Sequence, residues 1–152
     1  LVNGDPCIYS DLRWLKPHLT EDDFIVIPGL SSLNVGAAIL KKELSPGGKG
    51  YRNAIIAYSP QGEEFGVPPT ASDLARHKTT MIFFMAGSRI KQLIKDIGKH
   101  YSKDTPVAFC YYIGYPEKQK IIRGQLHNIV SLTASEPETD MVLIYVGNFL
   151  NE

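Results

Sequence analysis

The sequence predicts an α/β fold built around a mixed sheet, and three observations carry that expectation. Short apolar runs rich in β-branched and aromatic residues alternate with stretches of helical apolar spacing. Two turns, NGDP at residues 3–6 and PGLSS at residues 28–32, each follow an apolar run and precede a helical pattern. That is how α/β domains build a crevice at their strand ends. Finally, the 152 residues are 43% hydrophobic and 21% charged, enough material for one core or two small lobes.

The strands come from runs with little polar interruption. Residues 24–27 (FIVI), 80–85 (TMIFFM), 106–113 (PVAFCYYI) and 141–146 (MVLIYV) read as buried strands, and 54–58 (AIIAY) as a fifth. The helices come from spacing and caps. Ser10 is placed to cap a short helix with Leu12, Leu15 and Leu19 on one face, its last turn disturbed by Pro17. Ser31 or Ser32 caps a helix that carries Leu33, Ala37 and Leu40. The clearest helix starts at Ser88, with Ile90, Leu93, Ile94 and Ile97 amphipathically spaced and Gly98 near its end. A weaker one covers residues 126–132.

Residues 41–52 (KKELSPGGKGYR) interrupt the pattern with one Pro and three Gly, which is linker chemistry. The expected division is a first lobe over 1–44 and a second over 45–152. The first lobe holds one convincing strand, with Leu1 and Val2 as the stump of another. Two short strands do not bury the apolar faces of two helices, so this lobe reads as truncated or completed by a partner.

Charge and cysteine usage narrow the function classes. Sixteen basic and sixteen acidic residues cancel, so no global field favours nucleic acid or an anionic membrane. No apolar run approaches the ~18 residues of a membrane span. No basic-then-apolar leader precedes the first strand. Cys7 and Cys110 form neither a disulfide framework nor a metal-ligand spacing, and both read as buried thiols in a reduced, cytoplasmic setting.

Catalytic signatures are scarce. There is no phosphate-loop pattern, no G-x-G-x-x-G and no H-E-x-x-H. GLSSL at 29–33 resembles a nucleophile elbow, but Leu33 stands where the second glycine is required. His18, His77, His100 and His127 are scattered and read as surface or capping residues. Met81 and Met85 lie in a strand, where packing is the ordinary role. The NGDP and PGLSS turns carry more information. They place backbone N–H groups at helix N-termini facing one crevice, or else are simply tight α/β turns.

Taken in order, these stretches resemble the tetrapyrrole methylase family, which moves a methyl group from S-adenosylmethionine to carbons of precorrins and uroporphyrinogen. NGDPCIY is similar to the family's Gly-Asp-Pro-x-x-Tyr turn, and FIVIPGLSSLNVGAAIL to its strand, Pro-Gly-x-Ser-Ser turn and Ala-rich helix. TTMIFFMAGSRIKQLIKDI resembles the strand and first long helix of the second lobe. DTPVAFCYYIGYPEKQKIIRGQLHNI and MVLIYVGNFL resemble the pieces that follow. Within the family, the spacing from DTPVA through YPEKQKIIRG is most similar to the branch that methylates precorrin-4 at ring carbon eleven.

The resemblance implies two α/β lobes with the methyl donor folded between them. Asn3, Gly4, Asp5 and Ile8 would line the donor from the first lobe, and Ser31 and Ser32 would meet it at a helix N-terminus. Met85, Ile113 and Met141 or Val142 would close over it from the second lobe. The acceptor would be a precorrin-like tetrapyrrole bearing carboxylates, so Lys49, Arg52, Lys118 and Arg123 are candidate partners, or else solvated surface charges. The sulfonium is already activated and the pyrrole carbon electron-rich, so the reaction chiefly needs positioning in a desolvated cleft. That accounts for the missing acid–base dyad.

Family members commonly form homodimers, and no metal site is implied. The family's leading strand and Gly-Pro-Gly-Asp loop are absent from this sequence, and Ser10 replaces the usual Gly after the Tyr, a change that bears on the turn's backbone. By itself this piece is expected to be a poor methyltransferase. Two other readings of the scaffold are a non-catalytic tetrapyrrole-binding or dimerising module and an RNA ribose methyltransferase.

Overall fold

The computed structural model describes residues 4–48, 53–65 and 68–151. Its centre is a five-stranded mixed sheet of order β1-β2-β5-β3-β4. The strands are β1 (Ile55–Tyr58), β2 (Thr80–Phe84), β3 (Pro106–Tyr111), β4 (Lys120–Gln125) and β5 (Val142–Val146). β1 and β2 are parallel, and every other neighbouring pair is antiparallel. The carboxyl ends of β1, β2 and β3 and the starts of β4 and β5 therefore share one edge of the sheet.

The middle strands are buried on both faces, which explains their unbroken apolar sequence. Alternate residues serve opposite layers. Met81, Phe83, Val107, Phe109, Ile144 and Val146 pack on one face, under α3 (Ala71–Ala75), α4 (Ile90–Ile97) and α5 (Ile129–Leu132). Ile82, Phe84, Ala108, Cys110, Leu143 and Tyr145 face the other side, covered by α2 (Ser32–Leu40) and Leu44. Leu93, Ile94 and Ile97, the predicted stripe of α4, are all buried. Each contributes roughly 1.5–3 kcal/mol of apolar burial.

Two elements escaped the sequence reading. β4 is only half-buried and polar at both ends, so it lacks an apolar run. α3 lies in a segment taken as loop, although Thr70 and Asp73 form a capping box there. Thr70 Oγ1 accepts from the Asp73 N–H at 3.2 Å while Asp73 Oδ2 accepts from the Thr70 N–H at 3.1 Å.

Three expectations need correction. Residues 24–27 form no ladder with any described residue, and Ile25 is 90% and Ile27 76% exposed. A strand exists only through its partners, and the suggested neighbour, Leu1 and Val2, lies outside the described residues. Cys7 is exposed, not buried, because its turn runs over the surface. The short helix α1 (Leu12–Leu15) begins after Asp11 rather than Ser10, without a side-chain cap bond. Pro17 then tightens the chain into a single 3₁₀ turn, Lys16–His18, as Pro within a helical pattern should.

Candidate functional site

The site lies at the sheet edge where β2 and β3 end and β5 begins. Each of the first two strands is stopped by one left-handed residue, Met85 at φ 51° after β2 and Tyr112 at φ 50° after β3. The predicted strands included both residues, 80–85 ending on Met85 and 106–113 running one residue past Tyr112, because their apolar sequence continues while the backbone turns away. The Tyr112 N–H donates to the Met141 carbonyl at 2.8 Å, holding the exit of β3 to the entry of β5. Gly87 lets the backbone at Thr139 approach, since a Cβ there would collide with the Thr139 carbonyl.

The opposing wall consists of the two early turns. Gly4 sits at φ 72°, and Asp5 Oδ1 accepts the Cys7 N–H at 2.7 Å. Asp5 Oδ2 accepts the Gly29 N–H of the second turn at 3.2 Å. A Cβ at Gly29 would run into the Gly4 carbonyl oxygen, so the two turns touch backbone to backbone. Ser31, buried, caps α2 by accepting the Leu33 N–H at 3.3 Å. Tyr145 on β5 seats that helix on the sheet. Its hydroxyl donates to the Leu33 carbonyl at 2.7 Å and stands so close that only glycine fits at Gly36. Burial raises the Tyr145 phenol well above its ordinary range, so it remains a neutral donor.

Between these walls lies an open hollow of about 520 Å³, within the size range of small-molecule sites. Gly4, Asp5, Ile8, Ser31 and Ser32 line it on one side, with Met85, Ile113, Met141 and Val142 on the other. Nine of the ten residues singled out from sequence thus share one cavity, and the tenth, Asn3, lies outside the described residues. Val35, Phe84, Cys110, Leu143 and Tyr115 also contribute to the walls. Burial pushes the Cys110 thiol up to about 12, making it an uncharged apolar wall. Tyr9 packs against Phe84 with the rings tilted at 39° and their centroids 4.7 Å apart, and its hydroxyl donates to the Ala57 carbonyl at 3.2 Å.

Among the lining residues that sequence reasoning missed are Tyr9, Val35, Tyr115 and Asp140. Tyr9 and Tyr115 each stand within or beside a quoted turn, which is the signal that could have found them. Of the candidate cations, Lys49 and Arg52 lie outside the described residues, and neither Lys118 nor Arg123 lines the hollow. Arg123, on β4, donates at 3.5 Å to the Leu40 carbonyl at the far end of α2. Lys118 lies in the surface turn after Tyr115, where its N–H donates to the Tyr115 carbonyl.

Both carboxylate oxygens of Asp5 are occupied by backbone donors, so its task is to hold the turns. Asp140, exposed at the rim, has no ion-pair partner among the described residues and supplies free negative charge beside apolar walls. A mainly apolar hollow that also presents the start of α2 and the Asp140 carboxylate suits a ligand with an apolar body and a cationic centre.

An open, mainly apolar hollow at the carboxyl edge of a mixed sheet, walled by backbone turns, is the crevice architecture of an α/β protein. The family model for tetrapyrrole (corrin/porphyrin) methylases matches residues 1–130, and the chain belongs to that family. A cobalt-precorrin-4 C(11)-methyltransferase of Methanocaldococcus jannaschii is 34% identical over 99% of this chain and 59% of its own length. A precorrin-4 C(11)-methyltransferase of Pseudomonas aeruginosa is 27% identical over 97% of the chain and 59% of its own. The solved structure of a cobalt precorrin-4 methyltransferase of cobalamin biosynthesis superposes with a TM-score of 0.82 at 25% identity, covering 98% of this chain and 63% of that one. A uroporphyrin-III C-methyltransferase from Thermus thermophilus, complexed with S-adenosylhomocysteine, shares the fold with a TM-score of 0.72 at 19% identity, over 97% of this chain and 64% of that one. The chain spans about three-fifths of the length of these relatives.

Proposed function

We propose that the protein is an S-adenosylmethionine-dependent C-methyltransferase acting on a precorrin-like tetrapyrrole in corrin biosynthesis, with the donor in the hollow at the sheet edge. The observation that carries this reading is the convergence of the Gly4–Asp5 and Ser31–Ser32 turns with Met85, Ile113, Met141 and Val142 around one cavity. The names of the relatives support the acceptor class.

The residues present fit the donor. Ile8, Val35, Phe84, Met85 and Val142 offer apolar surface to an adenosyl group, and the start of α2 offers backbone N–H groups to polar atoms. The carboxylate of Asp140 offers charge complementary to a sulfonium or an ammonium. When bound, the donor supplies an electrophilic methyl group. A macrocycle carbon would take that methyl as the carbon–sulfur bond breaks, with the electron pair left on sulfur and a ring proton lost to solvent. The chain's part is to hold the reacting atoms at about 3–3.5 Å in line and to keep water out. No side chain need act as a strong base.

On this reading the protein forms two units, 1–44 and 45–152, and works in the cytoplasm as a homodimer. No described helix is long and apolar enough to cross a membrane. Ile25, Ile27 and Leu30, all strongly exposed, give association an apolar surface.

The reading is tested by incubating the protein with methyl-labelled S-adenosylmethionine and a reduced precorrin, followed by mass analysis of the macrocycle. The expected product carries one added labelled methyl group on a ring carbon, formed slowly, as the poor activity expected of this piece by itself requires. Donor binding with no transfer to any tetrapyrrole would contradict the enzymatic reading and leave a binding module.

A further inference from the structure

A second hollow of about 720 Å³ opens beside the first. Tyr9 and Met85 line both, so these two side chains form the seam between them. The far wall of the second hollow is α1 and the turn leading into it, and its floor includes Ser59 and Gln61, just past the carboxyl end of β1.

Three features mark this hollow as more than a surface dent. Arg13 is held with its guanidinium carbon 4.6 Å from the centre of the Trp14 ring. Stacking fixes the guanidinium plane while leaving its N–H edge available. Arg13 has no ion-pair partner among the described residues, whereas the other cation of the hollow, Lys16, is paired with Glu21 at 3.4 Å. Ser59 Oγ is the one buried side-chain polar atom among the described residues without a hydrogen-bond partner, and Ser59 lines this hollow. A buried polar atom left unpartnered calls for a ligand or a water to satisfy it. Asp11 is the acidic group on the wall, so the cationic character is local to the Arg13–Trp14 side.

We propose that the second hollow receives the carboxylate-bearing edge of the methyl acceptor, and that Arg13, preset over Trp14, binds one of those carboxylates and so sets how the macrocycle meets the seam at Met85. The proposal rests on the first hollow being the donor site. It assigns the acceptor to the opposite side of Tyr9 and Met85, where a ring carbon is brought up to the methyl group. Size and charge agree with that occupant. The hollow is open and large enough for part of a macrocycle, and a planar guanidinium matches a carboxylate in a bidentate way that an ammonium does not.

Trp14 is the only tryptophan in the chain, so its emission reports from the wall of this hollow. Uroporphyrin III, a stable polycarboxylate porphyrin, is titrated into the protein while Trp14 emission is followed, with S-adenosylhomocysteine binding measured in parallel by calorimetry. The wild-type protein should show saturable quenching. Arg13→Ala should weaken porphyrin binding about tenfold and Arg13→Lys should restore only part of it, as loss of a charge-assisted contact requires. S-adenosylhomocysteine affinity and thermal midpoint should be unchanged in both variants, and porphyrin and S-adenosylhomocysteine should bind together. No porphyrin binding to the wild type, equal binding to Arg13→Ala, or mutual displacement of the two ligands would overturn the proposal. Absence of S-adenosylhomocysteine binding in the wild type would instead sink the donor-site reading beneath it.

Discussion

The carboxylate of Asp5 ties together two turns that lie 24 residues apart, accepting the Cys7 N–H through Oδ1 at 2.7 Å and the Gly29 N–H through Oδ2 at 3.2 Å. The aspartate acts on the site through its backbone neighbours. Asp5→Ala frees both donors and loosens the wall carrying Gly4 and Ile8. Calorimetry with S-adenosylhomocysteine should show affinity reduced about tenfold or more, in line with the loss of charge-assisted hydrogen bonds. Gly29→Ala should do the same by another route, because its methyl group must displace the Gly4 carbonyl. Unchanged affinity in both variants would mean that these turns do not shape the donor site.

A second relationship governs stability. Tyr145 donates to the Leu33 carbonyl at 2.7 Å, and a Cβ at Gly36 would lie 2.9 Å from the ring carbon that bears the hydroxyl. Tyr145→Phe should cost about 1 kcal/mol in urea unfolding, since it removes the side-chain hydrogen bond that seats the half-buried Leu33 carbonyl on the sheet. Gly36→Ala should cost about 1–3 kcal/mol by overpacking. Removing the hydroxyl relieves part of that clash, so the double variant should lose less than the sum. Strict additivity would show that α2 shifts rather than clashes.

The two cysteines should differ sharply in reactivity. Cys7 is exposed, whereas Cys110 is buried with its thiol pushed up to about 12. The thiolate is the reactive form, so a maleimide should label Cys7 in the native protein and Cys110 only after unfolding. Peptide mapping of the labelled protein checks this. Native labelling of Cys110 would mean that the wall between α2 and β3 opens readily.

The capping box of α3 gives a pH-dependent term with a definite sign. Hydrogen bonds from the Thr70 hydroxyl and N–H hold the Asp73 carboxyl below its ordinary value of 3.8. A carboxyl depressed in the folded state stabilises above its unfolded pKa and loses that contribution as pH falls through the folded one. The stability gap between wild type and Thr70→Ala should therefore be constant near neutrality and narrow below pH ~4. Chemical denaturation across that range reads it directly, and a gap that widens on acidification would contradict the assignment.

How much of this was legible beforehand depended on where burial and pairing agree. β2, β3 and β5 are covered on both faces and announce themselves as apolar runs, and α4 shows its buried stripe at helical spacing. β4 escaped because it is half-exposed. Residues 24–27 misled because apolar, β-branched sequence signals a strand only where a neighbouring strand exists to bond with it. In the site, the turns were readable from Gly-Asp-Pro and Pro-Gly-x-Ser-Ser. The left-handed residues Met85 and Tyr112 were not, because nothing in a bulky side chain marks a positive φ. Arg13 also went unnoticed, since only its stacking on Trp14 and the neighbouring hollow distinguish it from other surface cations.

The central claim is that the hollow between the Gly4–Asp5 and Ser31–Ser32 turns and Met85 holds an S-adenosyl ligand. Isothermal calorimetry of the wild-type protein with S-adenosylhomocysteine tests it most directly. The account predicts a single site with a Kd of about 100 μM or tighter, a standard free energy near −5.5 kcal/mol. No measurable heat with ligand in the millimolar range, from a protein shown to be folded, would contradict it.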